Sequence, residues 1–325
     1  SVELRTPRLL VDAITDFVST KPVAYTHSQG KVELRDKIAA VYGVSIDEVF
    51  FTNGVTEAYY FLSRFFADTP ICQADARRLA DAKTWPNFLV PEPFYPPLVG
   101  IFTELGLQAR YLNRHTGNGN LLGQPITEQI MKLADADTRF VALVTGDNPT
   151  SVRLRAKSVE NTATAVRQLL EMGITTYFIP DDIYIEYIPP EYRNKYITLS
   201  EDFGIPVVLL GGLDKNIGTG FHSGWFIVHI PDCLGAEFKT TEFERLSILG
   251  AKYLGANTFS QTAADMYFGH ILQTGEIPPE AQANVNAVRC WSSALHDSLS
   301  AEFEYPFGEP STHLYHWIKL PTNVG

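Results

Sequence analysis

The sequence contains little cysteine, with Cys72, Cys233 and Cys290 widely separated among its 325 residues. No CxxC pair occurs, which argues against a disulfide framework and against a cysteine-ligated zinc site. His27, His229 and His270 also lack neighbouring ligands at metal-binding spacing, and we therefore expect no metal. Because sparse cysteine is typical of a reducing compartment, we expect a cytoplasmic protein.

Long hydrophobic runs and excess positive charge are absent as well. No apolar stretch approaches the ~20 residues that span a bilayer, and residues 1–8 lack the apolar stretch of a signal peptide, so we expect no membrane insertion. The chain has 26 Lys and Arg residues against 37 Asp and Glu residues, for a net charge of -11. An acidic chain without a basic run is a poor candidate for binding nucleic acid, and we expect none as a partner.

Apolar residues are arranged in the pattern of an α/β protein. Hydrophobic residues make up 45% of the chain, which is typical of a folded globular protein. Amphipathic helical segments alternate with short apolar runs, which predict strands at residues 49–52, 88–90, 140–144, 176–179, 206–210 and 225–228. Continuous apolar strands of this kind predict a mainly parallel sheet with helices on both faces.

The pattern becomes helical from about residue 233. Helices are predicted at residues 238–253, 259–273 and 279–303, followed by a strand at 314–320. We therefore predict a helical segment over residues 1–24, a large domain over residues 25–232 and a smaller α+β domain over residues 233–325. Because the sequence stops five residues after the last predicted strand, we expect the small domain to be incomplete.

Polar and aromatic groups follow the predicted strands, where binding sites form in parallel sheets. The turn after the first strand runs directly into a helix at Gly54, and backbone N–H groups at a helix start suit a phosphate. The other groups at strand ends are Tyr95, Asn148, Asp181 with Tyr184, and Lys215.

Together these groups match the requirements of pyridoxal phosphate chemistry. A lysine amine forms an imine with that cofactor, and a carboxylate holds its pyridine nitrogen protonated. An amide and a phenol bond the ring oxygen, an aromatic ring stacks on the pyridine, and a helix start holds the phosphate. We therefore expect pyridoxal 5'-phosphate as the cofactor.

Six segments of the chain, in one order, resemble motifs of the fold-type I pyridoxal-phosphate-dependent enzymes of the class I/II aminotransferase family. They are Tyr25 with Gln29-Gly30 and Leu34-Arg35, Phe51 to Ala58, Pro93 to Pro96, Asn148 to Thr150, Asp181 to Tyr184, and Lys215 with Gly224-Trp225. Each motif is weak alone, but the shared order and approximate spacing make the resemblance strong. It implies a transferase that acts on an amino acid.

The resemblance implies catalytic roles for three residues. Lys215 would form the Schiff base and move the substrate α-proton. Asp181 would contact the pyridine nitrogen, and Tyr184 would contact the ring oxygen together with Asn148. Tyr95 would stack on the ring.

The resemblance also implies how the phosphate is held. Gly54, Val55 and Thr56 would face it through backbone groups. Tyr25 would reach it from a second subunit, which implies a homodimer with shared active sites.

The chain departs from the family pattern at several positions. Gly212 stands where the family usually has serine, and His222 stands where it has an arginine, and both family residues bind the phosphate. His222 is therefore either a phosphate ligand or an ordinary loop histidine. The family's arginine for the substrate carboxylate lies beyond Leu320, so the group that binds this carboxylate stays open.

Aminotransfer is the simplest activity for this set of residues. A lyase or cyclase reaction through the same Cα carbanion is an alternative, and a non-catalytic relative that only binds the cofactor is a second one. The adjacent carboxylates Asp181 and Asp182 could also form a helix cap or a metal pair. Because neighbours on a strand point to opposite faces, both carboxylates cannot easily share one ligand, and we select Asp181.

Overall fold

A mixed sheet of seven strands forms the centre of the computed structural model, which describes residues 5–67, 85–113, 126–146, 148–252, 255–306 and 314–320. The strands are β1 Val49–Asn53, β2 Asn87–Glu92, β3 Gln108–Asn113, β4 Thr138–Val144, β5 Tyr177–Asp181, β6 Val207–Gly212 and β7 Ser223–His229. Their order in the sheet is β1-β7-β6-β5-β4-β2-β3.

One strand, β7, runs against the other six. It pairs antiparallel with both β1 and β6, whereas the remaining pairs are parallel. The register sets Asn53 opposite Ser223 and Gly212 opposite Gly224. The start of β7 therefore lies at the same edge of the sheet as the carboxyl ends of its neighbours.

Helices cover both faces of this sheet. Within the described residues they are α1 Arg8–Thr20, α2 Val32–Tyr42, α3 Gly54–Ala67, α4 Pro96–Glu104, α5 Ile126–Leu133, α6 Ala156–Glu171, α7 Tyr196–Phe203, α8 Asp214–Ile217, α9 Ala236–Gly250, α10 Thr258–Thr274 and α11 Pro279–Ser300. None of them is long and apolar enough to cross a membrane.

Two apolar cores lie on opposite sides of the sheet. On β5, Tyr177 and Ile179 belong to the core under α3, α4 and α9, whereas Phe178 belongs to the core under α2, α6 and α10. This alternation follows from the two-residue period of a strand. Burial on both faces explains the continuous apolar runs of the sequence, and the predicted fold class is confirmed.

The structure differs from the sequence prediction in three elements. Strand β3 was not predicted, because it is an edge strand whose mostly exposed residues form no apolar run. Helix α7 was not predicted either. The predicted strand at 314–320 is wrong: Lys319 forms only an isolated bridge with Glu304.

The segment at 314–320 has no neighbouring strand to pair with among the described residues. The backbone N–H groups of Leu314 and Tyr315 donate instead to Oγ of Ser151, at 3.0 and 3.2 Å. Apart from this segment, the described residues after 233 are mainly helical. The domain boundaries at 24/25 and 232/233 stay predictions.

Strand β7 touches the beginning of α3 through a glycine. A Cβ added to Gly224 would lie 2.4 Å from the carbonyl carbon of Gly54 and 2.6 Å from the nitrogen of Val55. Real side chains do not tolerate such distances, and the colliding atoms are main chain. The sheet and the helix start are therefore in direct backbone contact at this point.

We predict that Gly224→Ala lowers the free energy of unfolding by about 2–3 kcal/mol, because main-chain atoms cannot move aside as a side chain can. Urea denaturation followed by circular dichroism measures the change. Gly220→Ala is the matched control, since a Cβ at Gly220 would have no neighbour within 4 Å. Equal effects of the two substitutions would contradict the proposed contact.

Candidate active site

A pocket of about 300 Å³ lies at the carboxyl edge of the sheet. Nine of the ten residues predicted to bind the cofactor line it: Gly54, Val55, Thr56, Tyr95, Asn148, Asp181, Tyr184, Lys215 and His222. The tenth, Tyr25, does not line it. Three residues that were not predicted from the sequence also line the pocket: Tyr59, Asp214 and Tyr315.

One end of the pocket is formed by the first residues of α3. Gly54 has a φ of 77°, a conformation that favours glycine, and it turns the chain from β1 directly into the helix. The first N–H groups of a helix have no partner within the helix and carry its positive dipole end. Gly54, Val55 and Thr56 thus present an anion-binding surface to the pocket.

His222 lies beside this helix start. A Cβ built on Gly54 would lie 3.8 Å from Cα of His222 and 3.6 Å from Oδ2 of Asp214. The His222 side chain is exposed, and its backbone is left-handed with a φ of 51°. Asp214 accepts a 2.8 Å hydrogen bond from the N–H of Ser223, which fixes the carboxylate at the pocket wall. Burial raises the pKa of Asp214, and this hydrogen bond opposes the shift.

The space beside Gly212 is filled. A Cβ at this position would lie 3.1 Å from Cγ2 of Val55 and 3.3 Å from Cγ1 of Ile183. Both side chains also line the pocket. A serine at this position would thus begin in close contact with two apolar side chains and with the carbonyl oxygen of Ser223, also 3.1 Å away, and the glycine supplies no hydroxyl.

Asp181 ends β5 and is almost completely buried. Its Oδ2 accepts a hydrogen bond from the hydroxyl of Tyr59, and its Oδ1 accepts one from the N–H of Ile183 at 3.2 Å. Burial raises the pKa of Asp181, whereas these two hydrogen bonds and the charge of Lys215 oppose the shift. The carboxylate is therefore held in one orientation by donors on two sides.

Tyr59 is positioned by the helical repeat of α3. It lies four residues after Val55, so both side chains point to the same side of the helix. Burial raises the pKa of Tyr59 well above its usual value, and the charge of the nearby Asp181 raises it further. The phenol therefore keeps its proton and donates it to Asp181 in a hydrogen bond. This spacing is the sequence signal by which Tyr59 could have been found.

Tyr184, Asn148 and Tyr315 form a second polar group in the pocket. The hydroxyls of Tyr184 and Tyr315 are 2.8 Å apart, and Nδ2 of Asn148 lies 3.5 Å from each of them. Burial raises the pKa of Tyr184 well above its usual value, so its phenol keeps its proton. No local pattern pointed to Tyr315, because it comes from the segment predicted as a strand of the small domain.

Lys215 lies on the short helix α8, whose backbone accepts hydrogen bonds from side chains of other segments. Its carbonyl oxygen accepts a 2.5 Å hydrogen bond from the hydroxyl of Tyr187. The next carbonyl, of Asn216, accepts one from Nδ2 of Asn284 at 2.8 Å, and the Asn216 side chain donates to Tyr267 at 2.8 Å. The lysine backbone is thus fixed while its side chain faces the pocket.

The two predicted tyrosines at the periphery differ in position. Tyr95 lies directly before α4 and lines the pocket, and burial raises the pKa of its phenol. Tyr25 is 87% exposed. The contact of Tyr25 with the phosphate site of a partner subunit stays a prediction.

Asp182 points to the opposite side of the sheet from Asp181, as the strand period predicted. Its side chain is buried, and its Oδ1 has no hydrogen-bond partner within the described residues. Burial raises the pKa of Asp182 from 3.8 to about 7. Among the described residues, no group of three or more His, Cys, Asp or Glu side chains is arranged to hold a metal ion.

We predict that Asp182 makes stability depend on pH between about 4 and about 7. In this range the folded chain keeps a proton that the unfolded chain has lost, so this contribution to stability falls as the pH rises. Relative to Asp182→Asn, the free energy of unfolding should decrease by at most about 1.4 kcal/mol per pH unit and level off above that range.

Urea denaturation over a pH series of both proteins measures this difference. Asp202→Asn is the control, because Asp202 is exposed and its charge is solvated in both states. A difference between the original chain and Asp182→Asn that does not vary with pH would show that Asp182 keeps an ordinary environment.

Known proteins resemble this chain mainly in fold. No protein-family model matches the sequence. An aspartate aminotransferase from Thermotoga maritima is 22% identical over 228 residues, which cover 68% of this chain and 54% of that protein. The chain therefore spans about half the length of the curated relative that it matches.

Solved structures cover more of the chain. A tyrosine aminotransferase from Leishmania infantum matches with a TM-score of 0.73 and 19% identity, over 94% of this chain and 77% of that one. An alanine aminotransferase from Pyrococcus furiosus matches with a TM-score of 0.70 and 22% identity, over 93% and 71% of the two chains. The chain has the fold of these aminotransferases, which is the fold that its sequence motifs predicted.

Proposed function

We propose that this chain binds pyridoxal 5'-phosphate and acts as an aminotransferase on an amino acid. The observation that carries the proposal is the convergence of Lys215, Asn148, and Asp181 with Tyr184 on one pocket from three separate parts of the chain. The names of the matched proteins, which are aspartate, tyrosine and alanine aminotransferases, support the same activity.

The side chains and backbone groups in the pocket fit the three polar ends of this cofactor. The start of α3, with His222 beside it, would hold the phosphate. Asp181 would bind the pyridine nitrogen, and the amide and phenol of Asn148 and Tyr184 would bind the ring oxygen. Tyr95 supplies an aromatic ring at the pocket wall.

When bound, the cofactor supplies an electron sink for the Cα carbanion of an amino acid. Lys215 has the only side-chain amine lining the described pocket, so it would both link to the cofactor and carry the Cα proton. The carboxyl of Asp181 has a raised pKa because it is buried, and a pyridinium N–H would favour its ionised form. Asp181 would thereby hold a proton at the ring nitrogen.

We also propose a homodimer in a reducing cytoplasm. Tyr25 is exposed, and the preceding carbonyl of Ala24 accepts a 3.3 Å hydrogen bond from Thr258. The next residue back, Asn257, donates its N–H to Oδ1 of Asn53, which lines the pocket. This connection supports a position of Tyr25 near the pocket rim, where a partner subunit could receive it. The exposed free thiol of Cys233 supports the reducing location.

We predict that the protein develops a visible absorption band with pyridoxal 5'-phosphate and that borohydride then fixes the cofactor on Lys215. Peptide mapping by mass spectrometry locates the label. Lys215→Ala should lose the band, whereas Lys195→Ala should keep it, because Lys195 is an exposed residue before α7. A label on another lysine would refute the site.

The reaction itself is tested with an amino acid donor and a 2-oxo acid acceptor. Formation of the new amino acid, measured by chromatography, is the expected result. Release of ammonia without a new amino acid would instead indicate elimination, and an unchanged spectrum with every amino donor would indicate binding without catalysis.

We predict that Asp181→Asn slows exchange of the substrate α-proton with deuterated solvent by about 100-fold. The substitution removes a charge-assisted hydrogen bond worth about 2–3 kcal/mol, while the fold and cofactor binding remain. Asp182→Asn makes the same chemical change on the opposite face of the sheet, and exchange should stay near the rate of the unsubstituted chain. Equal rates in all three proteins would remove Asp181 from the mechanism.

A further inference from the structure

Tyr315 contributes a third hydrogen-bonding group to the part of the pocket that contains Tyr184 and Asn148. Its hydroxyl is 2.8 Å from that of Tyr184, and Nδ2 of Asn148 is 3.5 Å from both. The two phenol rings meet edge to face, at 6.0 Å between centroids and an angle of 86°. The three polar atoms therefore form a compact triangle in the pocket.

The position of Tyr315 is fixed by the loop that carries Asn148. Ser151, three residues after Asn148, is fully buried and accepts the N–H groups of both Leu314 and Tyr315. The Ser151 backbone is left-handed, with a φ of 59°, so this loop has a defined shape. One loop thus presents Asn148 to the pocket and anchors the backbone of Tyr315 against it.

We propose that Tyr315 is a positioning residue that directs the hydroxyl proton of Tyr184 toward the ring oxygen of the cofactor. The inference rests on the proposed function. A phenol has one proton to donate, and an ionised ring oxygen only accepts hydrogen bonds. If Tyr184 donates to that oxygen, the short contact between the phenols requires Tyr315 to donate to Tyr184.

This chain of donors strengthens the bond at its far end. A phenol that accepts a hydrogen bond becomes a better donor, because the bonds polarise one another. A stronger donor withdraws negative charge from the ring oxygen, which lowers the proton affinity of the nitrogen that links the cofactor to Lys215. Besides Tyr184 and Tyr315, the titratable groups that line the pocket are Tyr59, Tyr95, Asp181, Asp214, Lys215 and His222.

The test is a pH titration of the visible spectrum of the cofactor-loaded protein. Tyr315→Phe keeps the ring and removes only the hydroxyl, so the midpoint should rise by about 0.5 to 1 pH unit. Tyr305→Phe is the matched control. It removes a hydroxyl that forms a 2.9 Å hydrogen bond with Nδ1 of His316, the residue after Tyr315. Neither Tyr305 nor His316 lines the pocket, so the midpoint should not move.

A double substitution shows whether Tyr315 acts through Tyr184. Tyr184→Phe alone should raise the midpoint, and adding Tyr315→Phe should raise it no further. An unchanged midpoint in Tyr315→Phe would overturn the inference. If the cofactor also bound more tightly to this variant, Tyr315 would compete with the cofactor for Tyr184 instead of directing its proton. If the unsubstituted chain develops no visible band, the proposed function fails first and the inference fails with it.

Discussion

The pairing of β7 between β1 and β6 is the constraint on which the pocket depends. Because β7 runs against both neighbours, its first residues meet the ends of theirs, and the helix start at Gly54 lies directly on it. This contact is possible only because Gly224 has no side chain. Gly211 of β6 lies opposite Trp225 of β7, and an added Cβ at Gly211 would lie 2.5 Å from the Trp225 ring. Two glycines thus allow close packing of β7 against the start of α3 and against β6.

Within this frame, buried polar groups stabilise one another in pairs. Asp181 loses hydration on burial but gains the hydroxyl of Tyr59 and a backbone N–H. The buried hydroxyl of Tyr184 forms a 2.8 Å hydrogen bond with the hydroxyl of Tyr315, which replaces a bond to water. Asp182, the residue directly after β5, has an oxygen without such a partner among the described residues, and burial raises the pKa of its carboxyl to about 7. The two adjacent carboxylates therefore have different chemistry because each faces a different side of the sheet. Asp181 lines the pocket and is oriented by two donors, whereas Asp182 does not line it.

The sequence predicted those parts of the site that follow directly from strand ends. Lys215, Asp181 and Asn148 each come after an apolar run, and parallel strands bring such positions together. Tyr59 required a helical repeat counted from Val55, whereas Tyr315 required a contact across more than a hundred residues, which no local pattern indicates. Strand β3 was missed because an edge strand needs no continuous apolar run, and the strand at 314–320 was predicted wrongly because its backbone bonds Ser151 instead of a partner strand. Local periodicity identifies elements, but it does not identify their partners.

The departure at Gly212 also follows from packing. A Cβ at position 212 would lie 3.1 Å from Cγ2 of Val55 and 3.3 Å from Cγ1 of Ile183, so a residue of the helix start packs against the end of the strand that leads to Lys215. A side chain at position 212 would require Val55 to move by a few tenths of an ångström, and Val55 belongs to the surface that faces the phosphate under the proposed function. Under the proposed function, the phosphate would be bound by the N–H groups of α3, with His222 beside them. Because backbone N–H groups do not titrate, this binding surface would not change with pH, and its geometry is fixed by the contact with Gly224.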